Sequence, residues 1–282
     1  MKLLVAMTAA AVPLLAQLPE VDSIMSRVAV NQAKSYDARK EYVYTQKQFL
    51  RMMRASGKLA REEHREYTVV PQLRNTKRKL VSFDGRYQTK GVFTSFTKPG
   101  YHYKGLDLDA DLLDSISDDL TNSGDSQNGI ANNLFPLTYH QQLKYDFTLK
   151  DRETFKGRPV YRVKFQPKKT GFSAGAAMWK GEALIDADEF QPLFVSTSMA
   201  VKLPLIVKTL LGTNIKGLGF SVSYEKFGDV WFPVSYGGEF QIRGVFLYQR
   251  TMSVSLANSD FKHVDVNSTV AYAMDDKDKD KD

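Results

Sequence analysis

The chain has 282 residues, 43% of them hydrophobic and 25% charged, a balance that supports a sizeable buried core and excludes wholesale disorder. It contains no cysteine, which excludes a disulfide framework, cysteine-ligated zinc, iron–sulfur clusters, a thiol nucleophile and a lipidated N-terminal cysteine. The four histidines (His64, His102, His140 and His263) are scattered and argue against a histidine-built metal site, and the formal charge is +7.

Residues 1–16, MKLLVAMTAAAVPLLA, place one lysine before a short apolar run that ends in small residues. This is the layout of a secretory signal peptide with a cut after Ala16, and the run is too short to span a bilayer. Export in turn argues against nucleic acid as a partner. Residues 20–38, EVDSIMSRVAVNQAKSYDA, repeat apolar or small side chains at Ile24, Val28, Ala33 and Tyr36 and predict an amphipathic helix.

From Glu41 the period shortens. EYVYTQKQFLRMM, REEHREYTVVP and KRKLVSFDGRYQ read as strands, with turn signals at Ser56-Gly57 and Asp84-Gly85, and together predict a β-meander. This region is basic: Arg39 to Lys90 carries fourteen Lys or Arg against five Asp or Glu. Residues 105–128 are the opposite, with seven aspartates and no basic residue. Within them DLDADLLDSISDDL places Leu108, Leu112, Leu113, Ile116 and Leu120 at helical spacing, which predicts a short inserted helix with an acidic outer face and a flexible loop after it.

Strand patterning resumes at Tyr145 and persists through turns at Lys156-Gly157, Asp186–Glu189, Phe227-Gly228-Asp229 and near Arg243-Gly244. LPLIVKTLLGTN (203–214) interrupts it and reads as a short apolar helix that covers the sheet or lies against lipid. DDKDKDKD at the end contains nothing to bury and belongs to a solvated tail over 271–282. The expected architecture is α+β: eight to ten strands in one large, curved antiparallel sheet, an incomplete β-barrel, with an N-terminal helix and one or two inserted helices over its concave face. One domain over 17–270 accommodates it.

Catalytic patterns are weak. GFSAG (171–175) fits the spacing of a nucleophile elbow, but the strand–serine–helix context is missing around Ser173, so a glycine-rich loop is expected. DLDADLLDSISDD (107–119) lacks the glycine and glutamate that a calcium loop requires. Glu182, Asp186, Asp188 and Glu239 sit on strands or turns without a spacing that pairs them. No cofactor motif is present. The aromatic residues of the C-terminal strands are more informative: Trp179, Phe194, Phe220, Trp231 and Phe240, with Leu205 and Leu210, are expected either to line an apolar cavity or to fill a packed core.

Two stretches carry a resemblance. GKLAREEHREYTVVPQLRNTKRKLVSFDGR is similar to the N-terminal hairpins of an uncharacterised group of exported proteins of acidobacterial type. Gly157, Arg158, Tyr161, Ile185, Asp186 and Pro192 stand where the lipoprotein-carrier (LolA/LolB-like) superfamily has Gly-Arg-x-x-Tyr, then a strand ending in Ile-Asp, a turn and a proline. The resemblance implies an incomplete barrel around helices with a cavity for acyl chains, and no enzymatic activity. The expected function is therefore a periplasmic or outer-membrane-associated binding protein for a lipid or lipoprotein acyl chain. Arg74, Lys77, Arg78 and Lys79 would face an anionic membrane surface or an envelope protein. The alternative is a docking or sensing module with a solid core and a basic partner-binding face.

Overall fold

The computed structural model describes residues 19–71, 76–121, 126–127, 130–131, 136–168, 179–200, 214–217, 219–244 and 248–264. The expected signal peptide, the charged tail, the segment 203–214 except Asn214, and Ser173 lie outside them.

Helix α1 (Val21–Arg39) leads into a meander of β1 (Tyr42–Arg54), β2 (Leu59–Pro71), β3 (Thr76–Thr89) and β4 (Val92–Phe96). The acidic insertion supplies α2 (Leu108–Thr121) and a small ladder of β5 (Ser126–Gln127) with β6 (Ile130–Ala131). After α3 (Tyr139–Gln142) come β7 (Tyr145–Phe155), β8 (Arg158–Pro167), β9 (Trp179–Asp186) and β10 (Pro192–Met199). The chain then forms β11 (Asn214–Lys216), β12 (Gly219–Phe227), β13 (Val230–Arg243) and β14 (Gln249–His263).

Twelve of these strands form one curved antiparallel sheet, eleven of them in the path β4-β3-β2-β1-β14-β13-β12-β10-β9-β8-β7, with β11 beside β13. Among the described residues the path does not close, because β4 and β7 each pair on one side only. The architecture is the α+β curved sheet that patterning predicts. Fourteen strands are described against the eight to ten expected: the two- and three-residue β5, β6 and β11 carry no legible alternation, and eleven remain without them.

The hairpins form where conformation demands it. Lys156 and Gly157 both take positive φ (48° and 78°), the pairing a two-residue turn needs to match strand twist. At the first hairpin Gly57 (φ 76°) donates its backbone N–H to the Arg54 carbonyl. One expected turn is corrected: Asp84 and Gly85 lie inside β3, opposite His64 and Glu63 of β2. The turn falls instead at Lys90-Gly91, with φ of 49° and 83°. Gly85 is there for space, since the Phe96 ring of β4 lies over its backbone.

The period of two sorts side chains between an inner face, which carries the helices, and an outer face. Leu50, Met52, Val163, Phe165, Ile185, Val195, Val222, Phe240, Ile242, Met252 and Val254 fill the inner core together with Ile24, Met25 and Val28 of α1. Helix α1 crosses this face. Near its start the Met25 carbonyl accepts from Gln142 Nε2 (3.0 Å), Gln32 Nε2 donates to Gln191 Oε1 (2.7 Å), and at its end Arg39 Nε donates to the Trp231 carbonyl (2.5 Å).

Candidate functional site

The inner face has two regions of different chemistry. Across β12, β13 and β14 it is apolar: Phe220 stacks on Tyr236 with centroids 5.3 Å apart, meets Phe240 edge-on at 6.3 Å and meets Trp179 edge-on at 5.5 Å. Gly238 supports this strip, because a Cβ there would stand 2.4 Å from the Gly219 carbonyl oxygen and 2.7 Å from the Phe220 ring. Such close backbone approach marks a bend in the sheet.

On β1 and β2 the inner face is ionic. Register places Arg61, Glu63 and Arg65 of β2 opposite Met52, Leu50 and Gln48 of β1, all facing inward. Glu63 bridges both arginines, at 2.8 Å to Arg61 Nε and 3.0 Å to Arg65 Nε. Helix α2 closes over them. Asp107, just before it, accepts from Arg61 (3.3 Å), Asp114 pairs with Arg65, and Ser117 accepts from Gln48 Nε2 (2.8 Å). Asp109 takes Arg250 (2.8 Å) and the Tyr248 hydroxyl (2.6 Å). The expected acidic outer face is corrected in part: the inward arginines draw Asp109 and Asp114 of α2 to the sheet and Leu108 is turned to solvent, whereas Asp111 stays exposed beside His102 (2.8 Å). The Arg61 guanidinium also lies 4.3 Å from the centroid of Phe96, which Tyr101 stacks on at 5.0 Å.

A third cluster closes the lower end of the sheet, where the β9–β10 and β12–β13 turns lie. Glu189 accepts from Arg158 (2.9 Å), Lys226 (3.0 Å) and Trp231 Nε1 (2.9 Å). Partial burial pushes its carboxyl up, but these three donors outweigh burial and hold the pKa at about 2. Asp186 is fully buried against Arg158 and accepts the backbone N–H groups of Asp188 and Glu189, so it builds the turn.

The aromatic candidates divide. Trp179, Phe220 and Phe240 meet on the apolar strip. Phe194 alternates with buried Leu193 and Val195, falls on the opposite face and contacts Phe155 at 6.1 Å. Trp231 belongs to the lower cluster with Glu189 and Arg158. Leu205 and Leu210 lie outside the described residues. Of the basic candidates, Lys77 and Lys79 are exposed, Arg78 is half-buried and donates to Gln46 Oε1 (3.3 Å), and Arg74 lies outside the described residues. Glu182 pairs with Arg162 (3.0 Å) and Glu239 accepts from Ser253 (2.9 Å). No group of three metal-ligating side chains occurs among the described residues.

Sequence reading missed the ionic inner wall. Its signal was present in REEHRE, where charges of alternating sign recur at a spacing of two on one strand face. It also missed a groove of about 600 Å³ on the outer face, where Lys47, Phe49, His64, Glu66, Ser235 and Ser255 line a hollow across six strands. No helix of the described residues is long and apolar enough to cross a membrane.

A curved, unclosed antiparallel sheet with a helix laid across its inner face defines the class of the molecule. No family model matches the chain, and no curated protein matches it in sequence. Among solved structures it is similar to an outer membrane lipoprotein-sorting protein domain from Vibrio parahaemolyticus (13% identity, 88% of this chain and 96% of that chain covered, TM-score 0.36). It is likewise similar to a LolA superfamily protein from Nitrosomonas europaea (11% identity, 90% and 97% covered, TM-score 0.36). A third is a DUF1329 family protein from Desulfovibrio piger (12% identity, 87% and 93% covered, TM-score 0.34).

Proposed function

We propose that the protein is a non-catalytic binding protein of the cell envelope that carries an apolar chain, a lipid or a lipoprotein acyl chain, against the inner face of its sheet. The observation that supports this reading is the pairing of an aromatic inner strip (Phe220, Tyr236, Phe240) with a sheet that stays open between β4 and β7. An open sheet changes curvature without breaking a strand pair, so the volume above the strip can adjust to a guest. Each methylene buried there contributes about 0.8 kcal/mol. The signal-like pattern of residues 1–16 supports a place outside the cytoplasm, and exposed Lys77 and Lys79 would turn the carrier toward anionic headgroups.

Native mass spectrometry with lipid extraction, on protein purified from the envelope fraction, tests the proposal. A stoichiometric co-purifying lipid is the expected result. Protein at the bare-chain mass that also takes up no fluorescent fatty acid overturns it.

The tight packing of the same strip supports a second reading, a docking or sensing module with a solid core: Phe240 is 2% exposed and Met252 fully buried. Charge reversal at Lys77 and Lys79 separates the two. Loss of an envelope partner without change in lipid content favours docking.

A further inference from the structure

Among the buried arginines of the inner face, Arg39 stands apart. Arg61 has Glu63 and Asp107, Arg65 has Glu63 and Asp114, and Arg250 has Asp109. Arg39, the last residue of α1, is 4% exposed, and among the described residues no carboxylate lies within ion-pair distance of it. Its Nε is spent on the Trp231 carbonyl and the guanidinium carbon is 5.9 Å from the Phe232 centroid, but its Nη2 is buried with no hydrogen-bond partner. Burial lowers its pKa to about 10, so the group keeps its charge at neutral pH. A buried charge without a counter-charge is among the costliest arrangements a fold can hold.

The neighbours have the same polarity of need. Tyr44 of β1 and Tyr224 of β12 are both buried in the same neighbourhood: the Tyr44 ring lies 5.3 Å from Phe261, which packs on Phe232 at 4.2 Å, and Tyr224 pairs in register with Pro233, next to Phe232. Burial pushes Tyr224 up to about 12 and Tyr44 above the ordinary phenol range, so both remain neutral hydroxyls. The Tyr44 hydroxyl, like Arg39 Nη2, is buried without a partner. A guanidinium N–H and a phenol O–H, both unsatisfied, call for a group that only accepts and that carries negative charge. A carboxylate or a phosphate meets both conditions; water can accept from either group, but it also donates and carries no charge.

The location relates this site to the apolar strip. Tyr224 shares the inner face of β12 with Val222 and Phe220, and lies four strand steps from Phe220, roughly 13 Å. An extended chain with its head at Arg39 would lie along the strip toward Phe220 and Phe240. We infer that Arg39 and the hydroxyls of Tyr44 and Tyr224 form a binding site for an oxyanion, carboxylate or phosphate, which arrives as the headgroup of an anionic amphiphile or as a free ion. The headgroup arm rests on the carrier reading above; the anion site itself does not.

The test uses the full mature chain and three probes: dodecanoate, dodecanol and inorganic phosphate, the last compared with chloride at equal ionic strength. Binding is read by calorimetry and by thermal shift at pH 8, with circular dichroism as the check on folding. Wild type is expected to bind dodecanoate about tenfold or more tighter than dodecanol and to be stabilised by phosphate. Arg39→Gln should erase both effects while dodecanol binding stays unchanged. Tyr44→Phe removes only a hydroxyl from an apolar site, so it keeps the fold and should weaken dodecanoate and phosphate severalfold; it carries the test if Arg39→Gln does not fold. Phosphate binding that is lost in the variants, without uptake of either chain, supports the anion site and overturns the carrier reading. Equal affinity for dodecanoate and dodecanol with no phosphate effect overturns the anion site and leaves the carrier reading standing. No binding of any probe overturns both.

Discussion

The ring of Phe96 occupies the space that a side chain at position 85 would need: a Cβ on Gly85 would stand 2.4 Å from its Cε2 and Cζ atoms. Phe96 in turn supports the guanidinium of Arg61 at 4.3 Å, so a missing side chain on β3 helps to set the position of a buried charge on β2. Gly85→Ala should therefore destabilise by about 1–3 kcal/mol, as overpacking does, and Phe96→Leu in the same chain should recover part of the loss. Chemical denaturation of the three proteins measures this. A neutral Gly85→Ala would mean that the ring is free to move away.

Glu63 is fully buried between two arginines. Glu63→Gln leaves Arg61 with Asp107 and Arg65 with the partly exposed Asp114, and takes from both guanidiniums the fully buried carboxylate they share. The expected cost is about 3–5 kcal/mol in urea unfolding, characteristic of breaking a buried pair from one side. Glu66→Gln, which removes a long and largely exposed contact to Lys47 (3.9 Å), should cost less than about 1 kcal/mol.

The carboxyl of Glu189 gives a pH dependence with a defined sign. Its folded pKa, about 2, lies below the ordinary value of 4.5, so its contribution to stability is fully present above about 4.5 and is lost as pH falls through about 2. Melting temperatures of wild type and Glu189→Gln should therefore differ most above pH 5 and converge between pH 4.5 and 2. A constant difference across that window would show that the charge of Glu189 contributes nothing.

Phe240 and Phe194 are both aromatic residues of long strands, yet they face opposite ways. Phe240→Ala should cost about 3–5 kcal/mol, the range for emptying a core position. Phe194→Ala, at a half-buried outer position, should cost less than half as much. Thermal melts compare them directly, and equal losses would contradict the assignment of faces.

Legibility in the sequence followed the range of the interaction. Lys156-Gly157 and Ser56-Gly57 are turns because the backbone itself requires them, and they were readable from two residues. Asp84-Gly85 has the same chemistry, but its glycine answers to Phe96, eleven positions away and on another strand, so the local signal misled. Helices α1 and α2 were legible from their period. The orientation of α2 was not, because it depends on Arg61, Arg65 and Arg250, which strand register alone turns inward. The cluster of Arg39, Tyr44 and Tyr224 joins a helix end to two strands that are distant in sequence, and no spacing announces it.

The sheet order sets a constraint in time as well as in space. Strand β1 sits in the middle of the sheet, with β2 on one side and β14 on the other, in register from Tyr42 opposite His263 to Arg54 opposite Arg250. The first and last long strands are therefore neighbours, and about 200 residues separate them along the chain. A chain emerging N-terminus first can fold its meander early, but one whole edge of β1 must wait for residues 249–263. Until then that edge is an open template for any other strand. Completion of the molecule is thus a single late event at its centre, and the meander and the β7–β13 half become one body only when β14 enters between them.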